Sequence, residues 1–215
     1  MALAAGLLTA LALAQLLLPR LAAHTISSRV GRYGHVDSVR VSAFPAVELL
    51  WGSAESVSVE AGSLSLSPAQ AAKLLSQSRD VSRMDIRAAR VTVGPLRVEE
   101  AVLSKRGEEL SAHARATQAD VAAALPPGFG LRLLSSGGGQ VEVQASGGLF
   151  GIGASVPAVA LAREGRLLAH PVGPLIEALQ LTLFADPHVY VEGIGASLED
   201  TSPPGYRLSM DARLR

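Results

Sequence analysis

From Val36 onward the chain is dominated by an alternation of apolar and polar positions. Tyr206, Leu208, Met210, Ala212 and Leu214 share one parity, and Arg207, Ser209, Asp211 and Arg213 the other. Leu110, Ala112, Ala114 and Ala116 alternate with Glu109, Ser111, His113 and Arg115. Val141, Val143 and Ala145 alternate with Gln140, Glu142, Gln144 and Ser146, and Phe150, Ile152, Ala154, Val156, Ala158 and Ala160 form one face of a longer run. Side chains of a strand alternate between faces, so a period of two predicts strands. One-sided alternation predicts an antiparallel sheet with one dry and one wet face.

The phase slips in two places. Val57, Val59 and Ala61 are odd-numbered, whereas Leu64 and Leu66 are even, with Gly62-Ser63 at the change. Ile86 and Ala88 give way to Ala89, Val91 and Val93 in the same way. Each slip predicts a bulge or tight bend, and bent long strands curl a sheet around something. Helical signals are few. Ser67-Pro68-Ala69-Gln70 reads as a capping box with Pro at the first helical position, opening a helix to about Ser76. Thr117-Gln118-Ala119-Asp120 opens a second, stopped by Pro126-Pro127-Gly128. Pro45 to Trp51 has room for one or two turns, and Leu175 to Leu179 is ambiguous between helix and strand. With no βαβ rhythm, the predicted fold class is α+β: a long, bent antiparallel β-sheet wrapped around one or two helices, with an apolar N-terminal helix.

That N-terminal segment is a different kind of sequence. Residues 1–18 carry no charge, and only Thr9 and Gln15 are polar. At 1.5 Å per residue, 18 residues reach about 27 Å, just short of a hydrocarbon core. The reading is a signal peptide or marginal anchor, with Ala12-Leu13-Ala14 as a small-x-small cleavage signal and Leu21-Ala22-Ala23 as a weaker one. A wholly internal helix is the alternative, but such a helix usually keeps one wet stripe. No Lys or Arg precedes the run, a departure from an ordinary signal. Past Pro19, Ala22, Ile26 and Val30 recur every four residues among Arg20, His24, Arg29 and Arg32, the pattern of an amphipathic helix. Those basic residues fall where anionic headgroups would sit if the segment is retained. Residues 1–30 thus form an apolar signal or anchor running into an amphipathic helix, and residues 31–215 form one α+β domain.

Composition narrows the chemistry. Net charge is zero, which gives no electrostatic case for nucleic acid. The chain has no cysteine, so disulfides, thiolate nucleophiles and zinc–cysteine sites are excluded. The five histidines, at 24, 35, 113, 170 and 188, show no metal-ligand spacing, and no cofactor motif is present. Gly137-Gly138-Gly139 lies between two strands and reads as a hairpin turn, not a phosphate cradle. The adjacent pairs Glu99-Glu100, Glu108-Glu109 and Glu199-Asp200 face opposite sides of their strands and read as charges at hairpin ends, not as an acid/base dyad. No nucleophile elbow occurs.

Several segments follow one another in a recognisable order. A strand ends in Phe-Pro at Val39-Arg40-Val41-Ser42-Ala43-Phe44-Pro45. Leu49-Leu50-Trp51-Gly52 and the strand Val57-Ser58-Val59 come next, then the helix opening at Thr117 and the Gly-rich hairpin feeding Val141-Glu142-Val143. Gly165-Arg166-Leu167 precedes Pro171, and alternating strands close the chain. In this order and spacing, from about Val36 to Leu214, the chain resembles the LmeA-type phospholipid-binding proteins of bacterial cell envelopes. The resemblance implies an exported or anchored, non-catalytic protein whose partners are phospholipid and the membrane surface. It names no protein partner and supplies no sharp site motif, so candidate site residues come from the chain itself.

Enclosing an acyl chain needs a dry groove that the protein does not fill. Ala112, Ala114 and Ala116 on one strand face, and Ala154, Ala158 and Ala160 on another, are small enough to leave space on a curled sheet. Phe44, Leu50, Trp51, Phe129, Phe150 and Phe184 are the large apolar groups beside turns and the candidate rim. A helix seated on the same small residues would instead give a scaffold protein of the envelope, and a lipid-modifying enzyme with an unrecognised site is the third reading. A continuous apolar cavity of about 300 Å³ or more separates a groove from a filled core.

Overall fold

The computed structural model describes the backbone of residues 2–43, 49, 53–125, 127–149, 152–172 and 180–215; of these, the side chains of 2–14, 16, 148–149 and 152–154 are not described. Among the described residues strands predominate, arranged as two sheets with three helices. Helix α1 (Ala2–Val30) continues through Pro19 and ends in a 3-10 turn (Gly31–Tyr33). Strands β1 (Gly34–Ser42) and β2 (Ala54–Leu66) follow, then α2 (Pro68–Ser76), β3 (Val81–Val93), β4 (Leu96–Arg106), β5 (Glu109–Thr117) and α3 (Gln118–Ala124). The remainder is β6 (Phe129–Gly137), β7 (Gln140–Leu149), β8 (Ile152–Arg163), β9 (Arg166–Pro171), β10 (Leu181–Phe184), β11 (Val189–Glu199) and β12 (Gly205–Leu214).

The first sheet has seven strands in the order β1-β2-β3-β4-β5-β12-β11. β5 and β12 pair side by side from Thr117↔Gly205 to Glu109↔Arg213, so residues 118–188 are a long excursion between neighbouring parts of one sheet. Most of that excursion is a second, five-stranded sheet, β10-β9-β8-β7-β6. All pairings are antiparallel except β2–β3, which α2 joins as a single crossover. That one β-α-β unit is the exception to the absence of βαβ rhythm.

The curvature has a local cause. On β2 the inward set changes from Val57, Val59 and Ala61 to Leu64 and Leu66; on β3 it changes from Met84, Ile86 and Ala88 to Val91 and Val93. On β4 it changes between Val98 and Ala101. These three slips are in register, because Ala61 pairs with Ala88 and Ala88 with Ala101, while Leu64 pairs with Val91 and Val91 with Val98. A line of irregularities therefore crosses three strands and bends the sheet about it. Gly62 is skipped in the β1–β2 register, and Glu100 has φ +50°. Glu99-Glu100 thus sits at a mid-strand bulge, not at a hairpin end as its charge suggested.

The concave face of this sheet is dry. Val57, Val59, Met84, Ala88, Leu110, Ala212 and Leu214 are buried on it. The opposite face is wet and charged, with Arg106 to Asp85 at 3.0 Å, Arg115 between Glu99 at 3.3 Å and Glu199 at 3.2 Å, and Arg207 to Glu199 at 2.5 Å. The Arg106 guanidinium, hydrogen-bonded to Asp85, holds that carboxyl below the usual carboxylate range. The second sheet meets the first at its β11 edge. Ile194 N–H donates to Gly139 O at 3.2 Å, Val191 N–H to Gly165 O at 3.1 Å, and Ala196 N–H to Ser136 Oγ at 2.9 Å. Two hairpin tips thus cover amides on the open edge of β11, an edge that would otherwise invite pairing with another chain.

Candidate functional site

Two helices lie over the concave face without filling it. α2 begins as its sequence requires: Ser67 Oγ accepts from Gln70 N–H at 3.2 Å and Gln70 Oε1 accepts from Ser67 N–H at 2.8 Å. This fixes α2 so that Ala72 and Leu75 pack on Leu110, Val189, Ala212 and Leu214. The end of α1 sits over the other side. Ile26 packs against the cluster of Val57, Val59 and Met84, and Val30 against Ala61, Leu64 and Ala88.

Between the two helices and the sheet is one partly open groove of about 470 Å³. Its floor comes from β2, β3, β4, β5 and β12; its walls are Ile26, Arg29, Val30 and Tyr33 on the α1 side and Ala71, Leu74 and Leu75 on α2. The side chains of the floor are mostly Val, Leu, Ile and Met, with Ala88, Ala101, Ala112 and Ala114 where the floor recedes. The volume falls within the range of about 300–1,000 Å³ usual for small-molecule sites. Among its described lining residues there is no carboxylate, and Arg29 is the single formally charged side chain. His113 borders the groove but is exposed, alternating away from Ala112 and Ala114.

A buried cation lies at one end of this face. Lys105 is 1% exposed, and its ammonium donates to Val81 O and, at 3.3 Å, to Arg79 O. It fastens the turn between α2 and β3. Burial pushes the Lys105 amine below its ordinary value, while Asp80 and Glu108 oppose that shift.

The sequence candidates separate in space. Ala112 and Ala114 lie in the groove floor. Ala116, on the same face, is fully buried where β5 pairs with Tyr206 and is not part of the lining. Phe184 is half-buried under α2, beside the Leu110 cluster. Phe129 is on β6 of the second sheet, 42% exposed, its ring so close over Gly147 that a Cβ there would come within 2.5 Å. Ala154 is on β8, opposite Gly147, with its side chain outside the description. Phe44, Leu50, Trp51 and Phe150 lie outside the described residues, as does the ambiguous segment from Leu175 to Leu179. Ala112 and Ala114 thus lie on the groove floor, whereas Phe129 and Phe184, the described members of the aromatic set, do not line it. The largest part of the lining, on β2, β3 and β4, was readable as strand but not as site. Its signal was the pair of phase slips.

Among the described residues no group of three or more His, Asp or Glu side chains is placed to hold a metal ion, and no helix is long and apolar enough to cross a membrane. Most of the apolar run proposed as signal or anchor, the side chains of residues 1–14, lies outside that description. No curated protein and no solved structure matches the chain. A family model does: that of the LmeA-like phospholipid-binding proteins, over residues 9–211. The match runs from within α1 into β12 and takes in both sheets, and the chain belongs to the LmeA-like phospholipid-binding family.

Proposed function

We propose that the protein binds phospholipid by enclosing acyl chain in the groove between α1, α2 and the seven-stranded sheet, and that it holds or transfers the lipid at the bacterial cell envelope without chemistry. The observation that carries this reading is the 470 Å³ apolar groove, which two helices flank and neither fills. Interiors close-pack when nothing else is to be held, so open apolar space of this size on a helix-covered sheet favours a ligand over a scaffold. Among the described lining residues there is no carboxylate, and the one imidazole, His113, alternates away from the floor, which favours binding over chemistry on an ester. The apolar run at residues 1–18 supports export or attachment to the membrane. Fractionation of cells carrying the chain with and without residues 1–23 tests that part; full-length protein free in the cytoplasm would sink it.

The groove itself is tested by filling it. Ala114→Phe places a ring where a flexible ligand would lie, so co-purified phospholipid should fall sharply while the melting temperature changes little. If protein packs there instead, the ring overpacks a core at a cost of about 1–3 kcal/mol. A lowered melting temperature with phospholipid retained would refute the groove reading and favour the scaffold.

A further inference from the structure

We propose that Arg29 is the headgroup anchor of the groove, its guanidinium binding the phosphate of a phospholipid whose acyl chain lies along the floor. The inference rests on the groove reading above and adds to it the chemistry at the groove's charged margin. Arg29 is in the last turn of α1, between two residues whose places are fixed: Ile26 and Val30 both pack into the concave face. With its neighbours held inward, Arg29 is set at the groove's edge, exposed to solvent yet part of the lining. It makes no hydrogen bond or ion pair among the described residues. Arginines on the wet face of the sheet at 83, 106, 115, 207 and 213 are spent on carboxylates.

The surroundings favour an anion. Residues 1–36 contain Arg20, Arg29 and Arg32 and no acidic side chain. The first carboxylate, Asp37, faces His35 at 3.3 Å. Tyr33, in the 3-10 turn after α1, also lines the groove and supplies a phenol as a second donor. A planar, permanently charged fork matches a phosphate in bidentate fashion. One cation at the edge of an otherwise uncharged apolar slot is the complement of a molecule with one phosphate at the end of hydrocarbon. A neutral lipid would leave Arg29 with nothing to meet, and a soluble phosphate would leave the slot empty.

The test uses the full chain equilibrated with mixed vesicles of phosphatidylglycerol and diacylglycerol bearing identical chains, with the bound lipid counted by native mass spectrometry. Wild type should favour the phosphate-bearing lipid. Arg29→Gln should lower the ratio of bound phosphatidylglycerol to bound diacylglycerol about tenfold, the scale of a lost charge-assisted hydrogen bond, and Arg29→Lys should restore part of it. An unchanged ratio in Arg29→Gln, with lipid still displaced by Ala114→Phe, overturns the anchor and leaves the groove standing. Equal loss of both lipids also overturns it, because Arg29 would then be supporting the wall. Glycerol phosphate displacing phosphatidylglycerol would show that the site reads a soluble phosphate and not a lipid. If wild type binds neither lipid, the groove reading fails and takes the anchor with it.

Discussion

The two sheets are written in the same alternating code and use it differently. Of the 19 buried apolar residues among those described, only Val141 and Leu168 belong to the five-stranded sheet. That sheet leaves Phe129, Leu134, Leu181 and Leu183 exposed, with Val172 just past its β9. The seven-stranded sheet has strands of up to 13 residues, aligned phase slips that bend it, and two helices over its concave face. The five-stranded sheet ends in a strand of four residues. Alternation therefore specifies a face but not whether that face is covered. Cover comes from elements distant in sequence, and here it converges on the sheet that carries the groove.

If burial is divided in this way, the same truncation should have unequal cost in the two sheets. Leu110→Ala removes a side chain 3% exposed in the cluster under α2, away from the groove lining, and should lower stability by about 2–5 kcal/mol. Leu183→Ala removes one that is 47% exposed and should stay within about 0.5 kcal/mol. Urea denaturation of both variants measures the contrast. Comparable losses would mean that the second sheet's apolar face is covered after all.

How much of this was legible depends on the range of the signal. β5, β7 and β12 could be read directly, because period-two alternation is local to each strand. The start of α2 was equally plain, since Ser67 and Gln70 satisfy each other across three residues. The bend at Gly62-Ser63 was visible as a slip, but its alignment with slips on β3 and β4 was not, because register is a property of pairs. For the same reason nothing in the chain showed that β12 returns to lie against β5, which splits the strands into two sheets. In the site, Ala112 and Ala114 were legible because small residues on a strand face leave space. Phe129 and Phe184 show the converse: side-chain size near a turn does not say which sheet holds it. Arg29 was read only as one of several basic residues beyond an apolar run, and its place beside the groove follows from Ile26 and Val30 docking.

The seam between the sheets offers a second way to separate them. Gly165, at the β8–β9 turn, has φ +77°, and a Cβ there would run into the Tyr190 ring. That ring has Arg215 stacked over it at 3.8 Å, which limits how far it can yield. Gly165→Ala should therefore cost about 1–3 kcal/mol, combining left-handed backbone with overpacking. If the sheets are mechanically independent, hydrogen exchange should rise in β8 and β9 while β3 and β4 stay protected. Equal acceleration in both sheets would show that they unfold as one unit.

The smallest expected effect concerns Lys105, and its sign follows from burial. The amine titrates below its unfolded value of 10.5 in the folded chain, because enclosure disfavours the charged form. Between the folded and unfolded values the unfolded chain binds more protons than the folded one, so stability rises with pH through that interval and levels off above about 10.5. This is opposite to Asp85, whose lowered value contributes stability above the normal carboxylate range that disappears as pH falls through its folded value. Lys105→Met keeps the apolar stem but removes the titration, and it leaves Arg79 O and Val81 O without their donor. The variant should be less stable at neutral pH and should lose the alkaline rise. The measurement is the difference in urea midpoint between wild type and Lys105→Met from pH 7 to 11, which cancels the titration of the tyrosines. A difference that stays flat across that range would mean that the ammonium reaches water, and the closed end of the concave face would have to be redrawn as open.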